Sequence, residues 1–497
     1  MNRAPSTGGR DDQPRFRREL GLWSSVMVVV GSMIGSGIFI VSADIARNVG
    51  SPGWLLIVWV VTGLVTLAAA LSYGELAGMM PHAGGQYVYL REAYNPLIGF
   101  LYGWTLFLVI QSGTIAAVAV AFAKFTSVFV PWFGEANVLF TAAGKNVTGA
   151  HLLAVLSVWV LTAVNLRGIR EGKIVQVLFT VLKIVVVLGL IVAGLIVAAD
   201  TDTFARNAER FWDAHRVVMR NDGSVVIEAL SGPLLIAAVG VAMVGSLFSS
   251  DAWNNITFTA AEVIEPRKTI PLSLAIGTGL VSVLYILANV AYLHLLPLQG
   301  SPHAGDVIGR GIQFATSDRV GTAAARVVLG ETAEYVMAAL VMISTFGCNN
   351  GLILAGARVS FAMARDGLFF RTVGKLNSRS VPGAALVLQA VWTSLLCVSG
   401  TYSDLLDYVI FAVLIFYILT IGGLFILRRK EPDAERPYRA FGYPVVPALY
   451  IAVAFAVSLD LLVFKPAYTW PGLLIVLLGI PAFFAWRRFR KTSEIPA

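Results

Sequence analysis

The sequence predicts an all-α, polytopic membrane protein of about twelve helices, with two inverted repeats of five helices followed by two more. The first observation is composition. Of the 497 residues, 57% are hydrophobic and only 13% are charged, and the mean hydropathy is +0.76, values that a soluble domain could not cover with polar surface. The second is a series of apolar segments of about 20 residues, the length that crosses a bilayer. The third is a pair of polar interruptions in the first and sixth segments, the pattern of an inverted-repeat transporter.

The apolar segments define twelve predicted helices. They cover residues 21–44, 53–79, 96–130, 149–166, 173–198, 232–262, 270–297, 332–362, 383–399, 403–427, 444–463 and 468–487. The interrupted helices one and six are five helices apart, and an odd number of helices in each repeat makes the repeats inverted. The predicted organisation is a cytoplasmic tail at 1–19, a first repeat at 20–199, an extracytoplasmic loop at 200–231, a second repeat at 232–428, a cytoplasmic link at 429–443, helices eleven and twelve at 444–490, and a cytoplasmic tail at 491–497.

The basic residues predict the orientation of the chain and do not indicate a nucleic-acid partner. The net charge is +8, but Lys and Arg concentrate in the two tails and in the loops after even-numbered helices, as the positive-inside rule expects of cytoplasmic segments. Examples are Arg15, Arg17, Arg18, Arg167, Arg170, Lys173, Arg428, Arg429, Lys430, Arg487, Arg488 and Arg490. Both termini are therefore predicted to be cytoplasmic, with the lipid bilayer around the helices.

Signatures of catalysis and of metal binding are absent from the sequence. It has no His-Glu-x-x-His, no Gly-x-Ser-x-Gly and no phosphate-binding Gly-rich loop with a lysine. Only two cysteines occur, Cys348 and Cys397, and both lie in predicted helices, so neither a disulfide framework nor a metal site is expected. The first 19 residues lack the apolar core of a signal peptide. We expect no catalytic residues, no cofactor and no metal.

Helix one is interrupted by the run Gly35-Ser36-Gly37. Glycine costs about 1 kcal/mol relative to alanine in a helix interior, and a bilayer tolerates irregular backbone only where it lines a protein-enclosed cavity. The segment after such a break offers free N–H groups and the positive end of a helix dipole, so the Ser36 and Gly37 amides are predicted to bind a substrate carboxylate. Close helix packing is the alternative, because Gly31 and Gly35 form a small-xxx-small pattern.

Helix six has its own polar interruption between Phe248 and Asn255. Backbone carbonyls freed there, at Phe248, Ser249 and Asp251, would accept hydrogen bonds from an ammonium group. Donors on one helix and acceptors on the other describe a site for an amino-acid zwitterion. Asp251 is an ionisable residue inside an apolar segment and hence a functional candidate, with helix capping as its alternative role.

Ile34, Asn254 and Gln111 complete the predicted substrate site. Ile34 and Asn254 adjoin the two breaks, and Gln111 belongs to a polar stretch of helix three that could line the pocket. Phe248 could close over the substrate because it lies beside the second break. Packing is the alternative role for Phe248, and a polar packing seam is the alternative for Gln111.

Lys183 lies about halfway along helix five, where a charge is costly and cannot easily reach the membrane surface. It could replace a bound sodium ion in one of two ways: as a fixed charge that holds broken helix one against helix eight, or as a titrating group that couples transport to protons. A charge beside a water-filled cavity, without a mechanistic role, is the alternative. Helix eight supplies Ser344 and Cys348, which are predicted to share this region with Lys183.

Several motifs together resemble one group of membrane transporters. They are Gly35-Ser36-Gly37-Ile38-Phe39, Leu71-Ser72-Tyr73-Gly74-Glu75-Leu76, the segment from Pro81 to Ala93, Asp251-Ala252-Trp253-Asn254, the segment from Glu265 to Pro271, Arg365-Asp366-Gly367, and Glu435-Arg436-Pro437-Tyr438-Arg439. In this combination the chain resembles the amino acid–polyamine–organocation superfamily, and within it the L-type amino-acid transporter group with its bacterial homologues. The resemblance covers nearly all of the predicted helices.

The resemblance implies a LeuT-type fold and sodium-independent exchange of amino acids by alternating access. It implies that the first break binds the substrate carboxylate, that the second binds the substrate amine, and that Lys183 stands in for the sodium site. Two positions depart from the family pattern: Ala252 stands where glycine is frequent, and Cys348 where serine is usual. The loop between helices three and four has no cysteine, so no disulfide-linked heavy chain is expected. A stand-alone bacterial homologue in the cell (inner) membrane is expected.

We therefore expect a sodium-independent amino-acid exchanger for small neutral L-amino acids, with cationic ones as a further candidate class. A proton-coupled amino-acid permease is the alternative, and a non-transporting amino-acid sensor is another. A membrane-embedded enzyme is not expected, because neither Asp251 nor Lys183 is accompanied by a nucleophile.

Overall fold

The structure is a computed structural model that describes residues 16–142, 145–197, 202–219, 224–399 and 402–493. Most of the predicted N-terminal tail, part of the predicted 200–231 loop and the last residues of the predicted 491–497 tail lie outside the described residues. The architecture is helical. In chain order the helices are α1 (Leu22–Met33), α2 (Ser42–Val49), α3 (Pro52–Met79), α4 (Gln86–Ala93), α5 (Pro96–Thr105), α6 (Gln111–Thr126), α7 (Gly149–Leu166), α8 (Ile169–Val197), α9 (Thr203–Glu209), α10 (Gly232–Ser249), α11 (Asn255–Phe258), α12 (Pro266–Leu295), α13 (Val307–Arg310), α14 (Val320–Leu329), α15 (Ala333–Arg365), α16 (Gly383–Ser399), α17 (Tyr402–Lys430), α18 (Val445–Phe464) and α19 (Pro466–Ser493).

Ten helices in the described part of the chain are long and apolar enough to cross a membrane. Two shorter apolar helices, Leu22–Met33 and Gly383–Val398, occupy the positions of predicted helices one and nine. This pattern confirms a polytopic helical membrane protein. The count of twelve spans and the inverted repeat remain predictions.

Helices one and six are both discontinuous, as their polar interruptions predict. The segment predicted as helix one is α1, a 3₁₀ turn at Gly37–Phe39 and α2. The segment predicted as helix six is α10, an irregular stretch, the single turn α11 and a 3₁₀ turn at Ala260–Glu262. In each case an apolar run long enough for one continuous helix is divided where glycine, serine or asparagine residues weaken the helix.

Several elements lie where the sequence does not predict them. Helix α4 fills the connection between α3 and α5, and a π-helical turn at Leu106–Ile110 separates α5 from α6 within predicted helix three. Two antiparallel hairpins occupy loops: β1 (Val138–Ala142) pairs with β2 (Lys145–Thr148), and β3 (His215–Met219) pairs with β4 (Val225–Ala229), with His215 opposite Ala229. π-Helical turns often occur at functional sites, and this one immediately precedes Gln111.

Helix α8 shows how the sequence distinguishes its two faces. Its lipid-facing side exposes apolar side chains such as Ile174, Val185 and Ile196. The opposite side buries Gln176 and Thr180 together with Lys183; at spacings of three and four residues, these fall on one helical face. That polar face packs against α1, which also contacts α12 and α15. The first break is therefore enclosed by three long helices.

Candidate functional site

The two breaks meet in the interior of the molecule. At Gly37 a Cβ atom would lie 2.8 Å from the Cβ and 3.2 Å from the Cα of Ser249, so the glycine permits the backbones to approach this closely. The Tyr285 hydroxyl of α12 lies 3.1 Å from the carbonyl oxygens of both Met33 and Ser249, and its single hydrogen is shared between them. One tyrosine thus joins the end of α1 to the end of α10. The sequence analysis did not identify Tyr285.

Side chains of three other helices cap the carbonyl end of α1. Lys183 Nζ donates to the carbonyls of Gly31, at 2.7 Å, and Ile34, at 2.8 Å. Ser344 Oγ donates to the Gly35 carbonyl at 2.9 Å and to Ile34 at 3.3 Å, and Cys348 Sγ donates to Ser32 at 3.1 Å. With Tyr285 on Met33, every carbonyl from residue 31 to residue 35 has a side-chain donor, which the open end of a helix in a membrane requires.

Lys183 is the only cationic side chain of that cap, and just 2% of its surface is exposed. Cations are favoured at the carbonyl end of a helix by the helix dipole. Lys183 thus lies beside the break and beside α15, and its role in place of a sodium ion stays a prediction. Ser344 and Cys348 lie in the same cap, as predicted.

The amides after the first break behave differently from the carbonyls before it. Among the described residues, the N–H groups of Gly37 and Ile38 donate to no backbone carbonyl, because the first bonds of the 3₁₀ turn begin at Phe39. Ser36 is the residue before that turn. Gly31 illustrates the packing alternative, since a Cβ there would lie 3.3 Å from the Gln176 side-chain carbon. Gly31 therefore allows close helix packing, whereas Gly35 to Gly37 form the break.

The carbonyls at the second break are less available than the sequence predicts. The Phe248 carbonyl accepts the Asp251 amide at 3.2 Å, and the Ser249 carbonyl accepts the Tyr285 hydroxyl at 3.1 Å. Each carbonyl has a second lone pair. Each of these two carbonyls already has one partner, because the chain turns tightly after α10 and α12 packs against it; their binding of a substrate amine stays a prediction. A substrate amine would have to share them.

Asp251 pairs with a tyrosine and does not cap a helix. The Tyr417 hydroxyl of α17 donates to Asp251 Oδ1 at 2.6 Å, and no side chain caps the N-terminus of α11. The next residue, Ala252, has a φ of +65°, a left-handed conformation that costs an L-residue with a Cβ about 1–2 kcal/mol. The departure from the family glycine at this position therefore falls on a residue whose backbone needs glycine-like freedom.

Asn254 lies in a chain of buried hydrogen bonds across three elements. Its Nδ2 donates to Gln86 Oε1 of α4 at 2.9 Å, and Gln86 Nε2 donates to Thr420 Oγ1 of α17 at 3.0 Å. All three side chains are buried. The sequence analysis did not identify Gln86 as a partner, because α4 was not predicted.

Two cavities adjoin the second break. The first has a volume of about 20 Å³ and is lined by Gln111, Asn254 and Asp251 among other residues. The second has a volume of about 20 Å³ and also reaches Asp251. Gln111 Nε2 donates to the Leu352 carbonyl of α15 at 2.7 Å. The other predicted substrate residues, Ile34, Ser36, Gly37, Phe248 and Ser249, line neither of these cavities.

A buried ion pair lies further along the second broken helix, and the sequence analysis missed it. Arg358 of α15 donates to both carboxylate oxygens of Glu262, at 2.9 and 3.2 Å, and both side chains are 1% exposed. The Glu262 carbonyl accepts the amides of Glu19 and Leu20. An acid and a base in two apolar spans could have been noticed from the sequence. Within the described residues, no group of three or more His, Cys, Asp or Glu side chains could hold a metal ion.

The long apolar helices and the joined breaks define a polytopic membrane transport protein. The chain matches the family model described as amino acid permease over residues 20–483, and it therefore belongs to that family. It is 30% identical to the large neutral amino acids transporter small subunit 2 of Homo sapiens over 483 residues, 97% of this chain and 82% of the relative. It is 26% identical to the b(0,+)-type amino acid transporter 1 of Mus musculus over 475 residues, 94% of this chain and 88% of the relative. These findings confirm the predicted resemblance, and they identify a transporter and not an enzyme.

Proposed function

We propose that this protein is a sodium-independent exchanger of small neutral L-amino acids, with cationic amino acids as a further substrate class. The observation that carries the proposal is the junction of the two breaks, with Lys183 donating to the carbonyls of Gly31 and Ile34. A buried side-chain cation at the end of α1 leaves no need for a metal ion to hold this helix end together. On the other side of the break, the Ser36 and Gly37 amides, with the Ile38 amide beside them, are suited to a carboxylate.

The amine of the substrate would bind at the second break. Its acceptors would be the second lone pairs of the Phe248 and Ser249 carbonyls, together with the Asp251 carbonyl. Ile34, Asn254 and Gln111 would complete the site around the zwitterion. The names of the relatives, one for large neutral amino acids and one of the b(0,+) type, support an amino acid as the substrate.

Alternating access by two inverted five-helix repeats would move this substrate across the membrane. The pairing of α1–α2 with α10–α11, each divided by a non-helical break, supports that organisation. We propose a cell-membrane location with both termini cytoplasmic. We also propose that the chain works without a disulfide-linked heavy chain, since the loop between α6 and α7 contains no cysteine.

Counterflow in proteoliposomes tests the exchange function. Vesicles containing the purified protein are loaded with unlabelled alanine, and uptake of labelled alanine is measured with and without sodium. We expect uptake that depends on internal amino acid and is unchanged by sodium. Uptake into empty vesicles that is driven by a proton gradient would indicate a proton-coupled permease instead of an exchanger. Binding of amino acid without any flux would indicate a sensor.

The role of Asp251 is tested in the same vesicles. If its carboxylate contributes to recognition of a cationic side chain, Asp251→Asn should lower arginine uptake more than alanine uptake. Opposite charges at contact distance favour each other strongly in a site of low dielectric. An unchanged ratio of alanine to arginine uptake in both Asp251→Asn and Asp251→Gly would reject this role.

A further inference from the structure

The two cavities at the second break are neighbours with a shared wall. The α6 cavity, about 20 Å³, extends past Gln111 and Asn255. The α3 cavity, also about 20 Å³, extends past Val65 and Tyr450. Three residues line both cavities: Asp251, Val413 and Tyr417. The side chains of these three residues therefore separate the two spaces.

The two cavities differ in chemistry. The α6 cavity is lined by several amide and hydroxyl side chains. Two of these polar groups, Asn255 Nδ2 and the Tyr102 hydroxyl, have no hydrogen-bond partner among the described residues, although both side chains are buried. The α3 cavity is lined largely by aliphatic and aromatic side chains, including Leu247, Trp253 and Leu414. The first space suits a polar or small group and the second an apolar one.

The shared wall is held in place by specific contacts of Tyr417. Its hydroxyl donates to Asp251 at 2.6 Å. Its ring packs against those of Trp253 and Tyr73, with centroids 5.2 and 5.8 Å away. A buried hydrogen bond to a carboxylate is stronger than one between neutral groups, and aromatic neighbours restrict the ring further. The tyrosine therefore has one position, between the cavities.

We propose that Tyr417 is a specificity-determining residue that, with Asp251, closes the α3 cavity to the substrate and so excludes large apolar side chains. The proposal rests on the proposed amino-acid transport. Each cavity alone, at about 20 Å³, has room for only about one water molecule, so the α3 cavity can take a large side chain only if the wall is removed. Removal of the wall would join a polar space to an apolar one and would admit leucine or phenylalanine, whose side chains can fill the apolar part.

The test compares substrate profiles of the purified protein in proteoliposomes. Tyr417→Ala should raise the ratio of phenylalanine to alanine uptake about 10-fold or more, the effect expected when a pocket gains space for several apolar carbons. Tyr417→Phe retains the ring and should leave the size profile close to that of the wild type, but it should change the ratio of arginine to alanine uptake, because Asp251 loses its donor. Phe425→Ala is the matched truncation on the same helix: Phe425 packs against Tyr443, lines neither cavity, and should change neither ratio.

Binding measurements keep the test decisive if Tyr417→Ala transports poorly. Val413→Ala makes the same wall thinner and keeps the hydrogen bond between Tyr417 and Asp251. For each variant, the rise in unfolding temperature caused by alanine, leucine or phenylalanine reports binding without transport. A folded wild type that neither binds nor transports any amino acid would overturn both the proposed function and this inference. A wild type that handles alanine, with unchanged size profiles in both Tyr417→Ala and Val413→Ala, would overturn only the inference.

Discussion

The two breaks are held open by different means. At the first break, side chains from α8, α12 and α15 reach the backbone carbonyls of residues 31 to 35. At the second, the Tyr285 hydroxyl reaches one carbonyl, that of Ser249, but the break's own side chains also reach outward: Asp251 to Tyr417 and Asn254 to Gln86. The first arrangement fixes backbone groups, which every substrate would meet in the same way. The second depends on side chains, which a substitution can change together with the substrate specificity. We therefore expect substitutions near the first break to affect all substrates equally and those near the second to affect substrates unequally.

The largest effect is expected from Lys183→Ala. Two buried carbonyls would lose hydrogen bonds to a charged group worth roughly 1.5–3 kcal/mol each, so exchange should fall about 100-fold or more. The loss should be equal for alanine and arginine, measured as counterflow. Lys124→Ala is the control, because Lys124 lies in α6 and is not part of the cap of α1. A Lys183→Ala protein that exchanges like the wild type at every pH would show that the cap of α1 does not need the lysine.

Gly37→Ala tests the contact between the two breaks. Its new Cβ would overlap the Ser249 Cα and Cβ positions, and overpacking of this kind typically costs about 1–3 kcal/mol. We expect a lower thermal unfolding temperature and lower exchange of every substrate. Gly35→Ala is the comparator, since its Cβ would lie 3.6 Å from Cys348 Sγ in ordinary contact. Equal effects of the two substitutions would contradict the close approach of Gly37 to Ser249.

A double-mutant cycle tests the side-chain support of the second break. Gln86→Leu leaves the buried Asn254 amide without its acceptor, at a cost of about 1–3 kcal/mol. Asn254→Leu breaks the same hydrogen bond from the other side, so the double variant should be destabilised by less than the sum of the two single effects. Thermal unfolding in detergent measures all three variants. Strict additivity would show that the pair contributes no coupling.

The smallest effect, and the only stabilising one, is expected from Ala252→Gly. Glycine at a φ of +65° avoids the left-handed penalty of about 1 kcal/mol, so the unfolding temperature should rise by a few degrees. In Ala242→Gly, within the regular helix α10, the same chemical change should lower it. If both variants are destabilised, the backbone at Ala252 is not left-handed in the membrane.

Sequence reasoning identified the parts of the site that leave a local signature. Glycines inside an apolar run indicated the first break, and a lysine at membrane depth indicated the α1 cap. Tyr285 and Gln86 left no comparable signal, because a tyrosine inside a helix or a glutamine at a helix start is compatible with many roles. The π-helical turn before Gln111 also left none, since residues Leu106 to Ile110 are ordinary helix-forming apolar residues. The existing partners of the Phe248 and Ser249 carbonyls, the Asp251 amide and the Tyr285 hydroxyl, were not predicted, because they depend on what packs against the break.

The sequence by itself determined a helical membrane protein with two interrupted helices and a buried lysine. Bilayer thickness, glycine content and the cost of a buried charge act over a few residues and can be read locally. Only the tertiary structure decided which atoms meet. Lys183 and Gly31 are 152 residues apart in the chain, and Tyr417 and Asp251 are 166 apart. Contacts over such separations depend on how the helices pack together. The two breaks and the buried lysine were therefore visible in the sequence, whereas the wall formed by Asp251, Val413 and Tyr417 was not.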